Sequence, residues 1–294
     1  MPYRLLIINP NTSTHMTDAL KPIVNGVNLR GNSAVEIYNG GKVLPDKLPE
    51  VQVDYFTAPR EPTVSKEGIT LEGIPSINNG KQSILSAQHC FPHLQSLIGE
   101  YDGFLVACYS PHPLVGMLRR AIEERNNVKP TAAIERPFHR RQYVTGIMDA
   151  SIEMSAYFVN CASQESQQHT PGKFGIVTTA DEWKEELDTA ARDMLLSNGN
   201  DPDLTVFAGV ETTGLTASEL HSAPADLVKS RIKSATERLK HRAGPSLRVI
   251  SMGCAAMAGM EKAVREAFDT SQPVTVVDGT AAGVAVLLGL CRAS

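Results

Sequence analysis

Residues 101–125 read YDGFLVACYSPHPLVGMLRRAIEER, and few folds accommodate that order. The apolar run at 103–107 is too short for a core helix and has the length of a buried strand. It stops at Cys108, passes a turn containing Pro111 and Pro113, and resumes at Leu114 with helical periodicity. The same grammar returns at Leu247–Met252, which leads through Gly253 and Cys254 into helix-patterned residues at 257–268. Strand–turn–helix units of this kind belong to parallel sheets, in which neighbouring strands are joined by helical crossovers. Reactive groups in such sheets gather beyond the carboxyl ends of the strands, where both cysteines fall.

The rest of the chain alternates in the same way. Residues 4–8 read as a strand, followed by Asn9-Pro10-Asn11-Thr12-Ser13 and then Met16, Leu20, Ile23 and Val24 at helical spacing. Lys173–Thr178 reads as a strand that leads through Thr179 and Asp181 into Trp183, Leu187, Ala190 and Met194. Further strands are expected at 35–38, 51–57, 143–147, 204–208 and 273–277. Further helices are expected at 84–94, bent or interrupted at Pro92, and at 149–159, 228–239 and 280–291. The halves match each other: Asn11 with Thr179, Cys108 with Cys254, Gly146 with Gly279. Matched positions lie farther apart in the first half, where irregular stretches near 34–50, 60–73 and 127–142 take up the excess. The pattern predicts an α/β fold of two similar lobes, each a parallel sheet flanked by helices. A pseudo-two-fold axis relates the lobes, with the active site between them.

With 294 residues, 42% of them hydrophobic, the chain can bury a sizeable core. A formal net charge of −4 gives no electrostatic case for nucleic acid or anionic membrane as a partner. No apolar run matches a signal sequence or a membrane span, so a cytoplasmic protein is expected. The five cysteines are odd in number and include no C-x-x-C pair, which argues against a disulfide framework or a zinc cluster. Cys90, Cys161 and Cys291 read as buried structural residues. The basic stretch with Arg136, Arg140 and Arg141 reads either as a lid over an anionic substrate or as a solvated loop.

If the halves face each other, both thiols enter one cleft. A helix N-terminus favours a thiolate, so lowered thiol pKa values are expected there. One thiolate can remove a proton from a carbon acid while the opposite thiol returns one to the other face. With the carbanion spread into a neighbouring carbonyl and held by oriented donors, this requires neither a metal nor pyridoxal. Asn11, Thr179 and the backbone N–H groups beyond each cysteine are candidate donors, although the hydroxyl and amide loops serve equally as plain helix caps. His112 either assists ionisation of Cys108 or caps the following helix, and Ser110 reads as a turn residue. Two other classes remain open: a thiol hydrolase with Cys108 as nucleophile and His112 as base, and a non-catalytic binder of small anions.

INPNTS at 8–13, DGFLVACYSPHPL at 102–114, GIVTT at 175–179, MGCAAMAGM at 252–260 and VVDGTAAGV at 276–284 occur in that order. Together they resemble the aspartate/glutamate/hydantoin racemase superfamily, nearest its hydantoin racemase branch with the fungal allantoin- or hydantoin-racemase-like proteins. The resemblance implies an isomerase: a cofactor-independent racemase or epimerase of amino-acid derivatives, hydantoin- or allantoin-like, with Cys108 and Cys254 as the catalytic pair. It implies substrate contacts from Asn11, Thr178, Thr179, Gly146 and Ile147, and Tyr109 and Ala255 beside the cysteines complete the candidates. The family has a Glu where this chain has Asp149. Also implied is a swap that returns the last strand and helix to the first lobe, giving lobes of 1–142 completed by 278–294, and 143–277. The partner is a small-molecule substrate, and a homo-oligomer fits the family's habit. Superfamily decarboxylases need one cysteine and maleate cis–trans isomerases use a nucleophilic one, so a pair favours racemisation and leaves isomerisation open. The stretches near 34–50, 60–73 and 127–142 depart from the family pattern, as loop insertions or as artefacts of the gene model.

Overall fold

The computed structural model describes residues 2–27, 50–64, 68–127, 140–165, 172–197, 206–268 and 273–294. The expected strand at 35–38, Arg136 and most of the irregular stretches at 34–50 and 127–142 lie outside these residues. The first half contains β1 (Tyr3–Asn9), α1 (Thr14–Gly26), β2 (Val51–Thr57), β3 (Thr63–Val64), β4 (Thr70–Leu71) and α2 (Gly80–Gln95). It continues with β5 (Gly103–Val106), α3 (Pro113–Asn127) and β6 (Tyr143–Gly146). The second half contains α4 (Ile147–Glu165), β7 (Lys173–Thr178), α5 (Trp183–Ser197), β8 (Phe207–Thr212), α6 (Glu219–Ser222) and α7 (Ala225–Ala243). It ends with β9 (Leu247–Met252), α8 (Glu261–Arg265), β10 (Thr275–Asp278) and α9 (Gly279–Ala293).

Two four-stranded parallel sheets result, ordered β2-β1-β5-β6 and β8-β7-β9-β10. The orders are identical once β1 is matched to β7, β2 to β8, β5 to β9 and β6 to β10. Alternation along β1 separates its two faces. Leu5 and Ile7 enter a central core shared by both lobes, while Leu6 and Ile8 enter an outer core under α2 and α3. The second sheet does the same, with Ile176 facing the central core and Val177 an outer core covered by α7.

The helices that follow the edge strands change lobes. α4 packs on β9, β7 and β10 of the second sheet, and α9 packs on β5 and β6 of the first. Only the last helix returns to the first lobe, because β10 hydrogen-bonds to β9 along Thr275↔Val249 to Asp278↔Met252. The crossover likewise falls after Gly146 and not after Gln142, since β6 pairs with β5 from Gly103↔Tyr143 to Val106↔Gly146. Residues 143–146 therefore belong to the first sheet.

Other differences have local causes. The helix expected at 257–268 is a 3₁₀ turn, Ala255–Met257, followed by the short α8, because Gly259 turns the chain with φ near +79°. α2 runs on through Pro92. The strand expected at 204–208 is β8, Phe207–Thr212, whose polar end carries Glu211. That carboxylate is buried among three cations, Lys184 at 3.2 Å, Arg238 at 2.7 Å and Arg242. Burial alone would raise its pKa, but hydrogen bonds from Arg238 and Lys184 hold it below the usual glutamate value. Part of the 60–73 stretch forms the antiparallel pair β3 and β4, tied down by the buried His89 ring between the carbonyls of Leu71 and Pro59, at 3.1 and 2.9 Å.

Candidate active site

β5 and β9 occupy matching places in the two sheets, and each is followed at the same interval by a cysteine. The residue before each thiol is fixed to the neighbouring central strand. Ala107 N–H donates to Ile8 O at 2.8 Å, and Gly253 N–H donates to Val177 O at 2.7 Å. Thr178 Oγ1 secures the second loop further by donating to Gly253 O at 2.6 Å. Cys108 and Cys254 thereby line one cavity of about 50 Å³ together with Asn11, Tyr109 and Ala255. Pro75 and Ile77 of the first lobe and Ala217 and Ser218 of the second also line it. A wider groove of about 500 Å³ beside α7, lined by Val228, Ile232 and Met260, contains neither thiol.

Both cysteines keep part of their surface accessible, yet protein surrounds each sulfur, and desolvation governs their ionisation. Burial pushes the Cys108 thiol up to about 12, against a hydrogen bond from Ser110, and the nearby Cys254 and Glu186 push in the same direction. Cys254 is pushed up to about 11 by burial, moderated by the Ala256 N–H. This corrects the expectation of thiols acidified by helix N-termini. α3 begins only at Pro113, and beyond Cys254 there is a 3₁₀ turn, so neither sulfur sits in the first turn of a long helix.

The loop after β1 orders its own donors. Asn9 Nδ2 donates to Ser13 O and Thr17 Oγ1, both at 3.0 Å, and its Oδ1 accepts the Asn11 N–H at 3.1 Å. Asn11 Oδ1 accepts the Ser13 N–H at 3.0 Å, so the side-chain N–H₂ is what this amide can offer a ligand. The other candidates lie behind the wall. Thr178 and Thr179 are buried, the former bonded to Gly253 O, while Thr179 O accepts the N–H groups of Thr213 and Gly214. Ile147 is core, and Gly146 N–H donates to Asp149 Oδ2 at 3.2 Å, so the Asp149 carboxylate holds the start of α4. Tyr109 borders the cavity, but its hydroxyl is engaged by Ser251 and Ser151, both at 2.9 Å, which fastens the first lobe to the second.

His112 is buried with its Nδ1 accepting the Leu114 N–H at 3.4 Å, which is the capping role. Desolvation pulls its pKa down to about 4, so the ring is neutral near pH 7. It is not among the cavity residues, so it is not placed as the base expected for a Cys108 hydrolase. Arg140 contacts Asp102 at 3.7 Å and lies over the Tyr3 ring, and Arg141 lies over Tyr143, so neither guanidinium covers the thiols.

Three residues were missed in the sequence. His15 lines the cavity with Nδ1 2.6 Å from Ser13 Oγ. Ser218 arrives from the loop before α6. Glu186 on α5 crosses the lobe interface to accept the Gly80 N–H of α2 at 3.1 Å. Loop positions of this kind carry no periodic signal. A histidine in the first turn of a helix that follows a strand end was the one available clue for His15. Among the described residues no group of three or more His, Cys, Asp or Glu is placed to hold a metal ion, and no helix is long and apolar enough to cross a membrane.

Known proteins share this fold. The allantoin racemase of Pseudomonas fluorescens superposes with a TM-score of 0.62 at 20% identity, covering 99% of this chain and 91% of its own. The glutamate racemase RacE1 of Bacillus anthracis gives 0.52 at 11% identity, covering 97% and 80%. In sequence, an uncharacterized protein of Schizosaccharomyces pombe is 28% identical over 289 residues, 98% of this chain and 92% of that protein. Protein DCG1 of Saccharomyces cerevisiae is 23% identical over 299 residues, 99% and 98% of the two chains. Residues 139–287, half of this chain and including Cys254, match the family model of Asp/Glu/hydantoin racemases, and the chain belongs to that family.

Proposed function

We propose that this protein is a cofactor-independent racemase of neutral cyclic ureides of the hydantoin or allantoin kind, acting through Cys108 and Cys254 as paired acid and base. The observation that carries this reading is the cavity: two thiols from matching strand ends share one small space, and among the described residues no Asp, Glu, Lys or Arg lines it. A free amino acid would bring an ammonium and a carboxylate into that wall without a formal counter-charge, which is costly in a desolvated site. A hydantoin ring brings only amide groups, which Asn11, Ser13, Ser76 and Ser218 can match. An allantoin racemase is among the proteins that share the fold, which is compatible with this reading.

In the forward direction one sulfur, as thiolate, removes the ring proton next to the carbonyl. The electron pair moves into the carbonyl to form an enolate, whose oxygen the Asn11 amide N–H can stabilise. The opposite S–H then delivers its proton to the other face, leaving the thiolate and thiol exchanged. The test follows loss of circular dichroism from single enantiomers of allantoin and 5-substituted hydantoins, with solvent deuterium read at the ring carbon. Cys108→Ser and Cys254→Ser should each lower racemisation by about 10²–10⁴-fold. Wild-type rates in both single variants, above the spontaneous background, would sink the two-base reading. Ring binding without deuterium exchange in the unmodified protein would identify a binder instead.

A further inference from the structure

The two thiols differ in what surrounds them. Cys254 takes its hydrogen bond from a backbone group, the Ala256 N–H. Cys108 Sγ lies 3.4 Å from Ser110 Oγ, and Ser110 Oγ lies 3.4 Å from Ser83 Oγ in the first turn of α2. Both serines are buried, at 3% and 2% exposure, and neither is among the cavity residues, so neither is placed to touch a substrate. Ser83 Oγ also lies 3.5 Å from Asn79 O, the N-cap residue of α2. The hydroxyls therefore have two settings. When Cys108 carries its proton, Ser83 can donate to Asn79 O. When it is a thiolate, Ser110 can donate to Sγ and Ser83 to Ser110 Oγ. No proton leaves either oxygen; only the hydroxyl rotors turn. A charge-assisted bond of this type, in a chain that polarises its neighbour, stabilises the anion more than the neutral thiol.

We infer that Ser110 and Ser83 are positioning residues that favour ionisation of Cys108, without acting on Cys254, by supplying a buried two-hydroxyl relay to its sulfur. The charged or ionisable groups that oppose Cys108 ionisation are Cys254 and Glu186, both from the second lobe. Glu186 also accepts the N–H of Gly80, one turn before Ser83, so the second lobe is fastened to the helix that carries the relay. The significance for catalysis rests on the racemase reading, but the relay itself can be read without any substrate.

The experiment is iodoacetamide alkylation of the intact protein between pH 7.5 and 9, with Cys108 and Cys254 quantified separately by peptide mass spectrometry. Below a thiol's pKa the alkylation rate follows its thiolate fraction. Ser110→Ala should slow Cys108 by about tenfold, as expected for losing a hydrogen bond to a charged group, and leave Cys254 unchanged. Ser83→Ala should slow Cys108 by about two- to threefold, because it removes only the polarising partner. Removing a hydroxyl opens space beside the sulfur, so slower alkylation cannot come from hindered access. An unchanged or faster Cys108, or equal slowing of both thiols, would overturn the relay. If Ser110→Ala does not fold, Ser83→Ala decides alone, and an unchanged Cys108 rate in it has the same force. Because alkylation reads the thiol whether or not any ring is racemised, failure of the relay and failure of the proposed activity are distinguishable.

Discussion

The loops that carry Cys108 and Cys254 solve one problem by different means. Both leave the third strand of a four-stranded sheet, and both pin the preceding residue to the central strand through a backbone hydrogen bond. Beyond that point they diverge. The first passes through Ser110 and His112 to α3, a helix of 15 residues, and sets the Ser110 hydroxyl beside its thiol. The second tightens into a 3₁₀ turn and offers a main-chain N–H. Topology is therefore what the lobes share, and the electrostatics of each thiol is set locally. The side of the site built from side chains can be tuned by substitution, whereas the side built from backbone resists it.

The largest effect expected from this comparison is a pH dependence. With the thiols raised to about 12 and about 11, both are protonated near neutrality, and a two-base reaction needs one of them ionised. kcat/KM for racemisation should therefore climb about tenfold per pH unit between pH 6 and 9, since the population with one thiolate grows by that factor. Stability runs the other way. A thiol whose folded pKa exceeds the unfolded value of 9.0 contributes stability that is intact below pH 9 and is lost as pH rises toward 11–12. A flat rate profile from pH 6 to 9 would mean that a thiolate already exists at neutral pH and that burial does not govern the pair.

A smaller effect separates the residues before the thiols. Ala107 stands in the first lobe and Gly253 in the second. A Cβ at Gly253 would lie 2.8 Å from both Ile176 Cγ2 and Thr178 Cβ, and 3.0 Å from Val177 O. Gly253→Ala, which copies the first loop into the second, should cost about 1–3 kcal/mol through overpacking against β7. Ala107→Gly should cost about 0.5–1 kcal/mol, since it only loosens the backbone. Urea denaturation of both variants checks the contrast, and equal midpoints would show that the second loop yields without strain.

Much of this was readable beforehand, for physical reasons. Leu247–Met252 and Lys173–Thr178 are buried on both faces and bounded by polar loops, so their apolar runs mark the strands to the residue. Cys108 and Cys254 were findable because a thiol at a strand end repeats in both halves. The lobe crossover was less visible. Nothing in Tyr143–Gly146 says which sheet supplies its hydrogen bonds, and a strand pairs where its neighbour's edge is open. Thr178 and Tyr109 show a second limit. A hydroxyl at a strand end signals a polar partner, but the partners, Gly253 O and Ser251 Oγ, are set by the packing of distant strands. His15, Ser218 and Glu186 meet the site through tertiary placement alone, from elements far apart in the chain.

The smallest expected effect concerns the two swapped helices, each tied by an aspartate at its start. Asp278 caps α9 by accepting the Ala281 N–H at 2.8 Å, and Asp149 accepts the Gly146 N–H at 3.2 Å where α4 begins. Desolvation raises the pKa of both carboxyls, and the backbone hydrogen bonds act against it. Asp149→Ala should lower stability by about 1 kcal/mol, the usual value of a lost cap, which is a Tm decrease of about 1.5–2 °C in a chain of this size. Asp149 is not among the residues lining the cavity, so kcat/KM should change by less than about threefold. Calorimetry and the racemisation assay on one preparation separate the possibilities. An activity loss beyond tenfold with an unchanged Tm would place this carboxylate in the chemistry after all. The lost Tm without lost activity would leave it as the anchor by which α4 enters the second lobe.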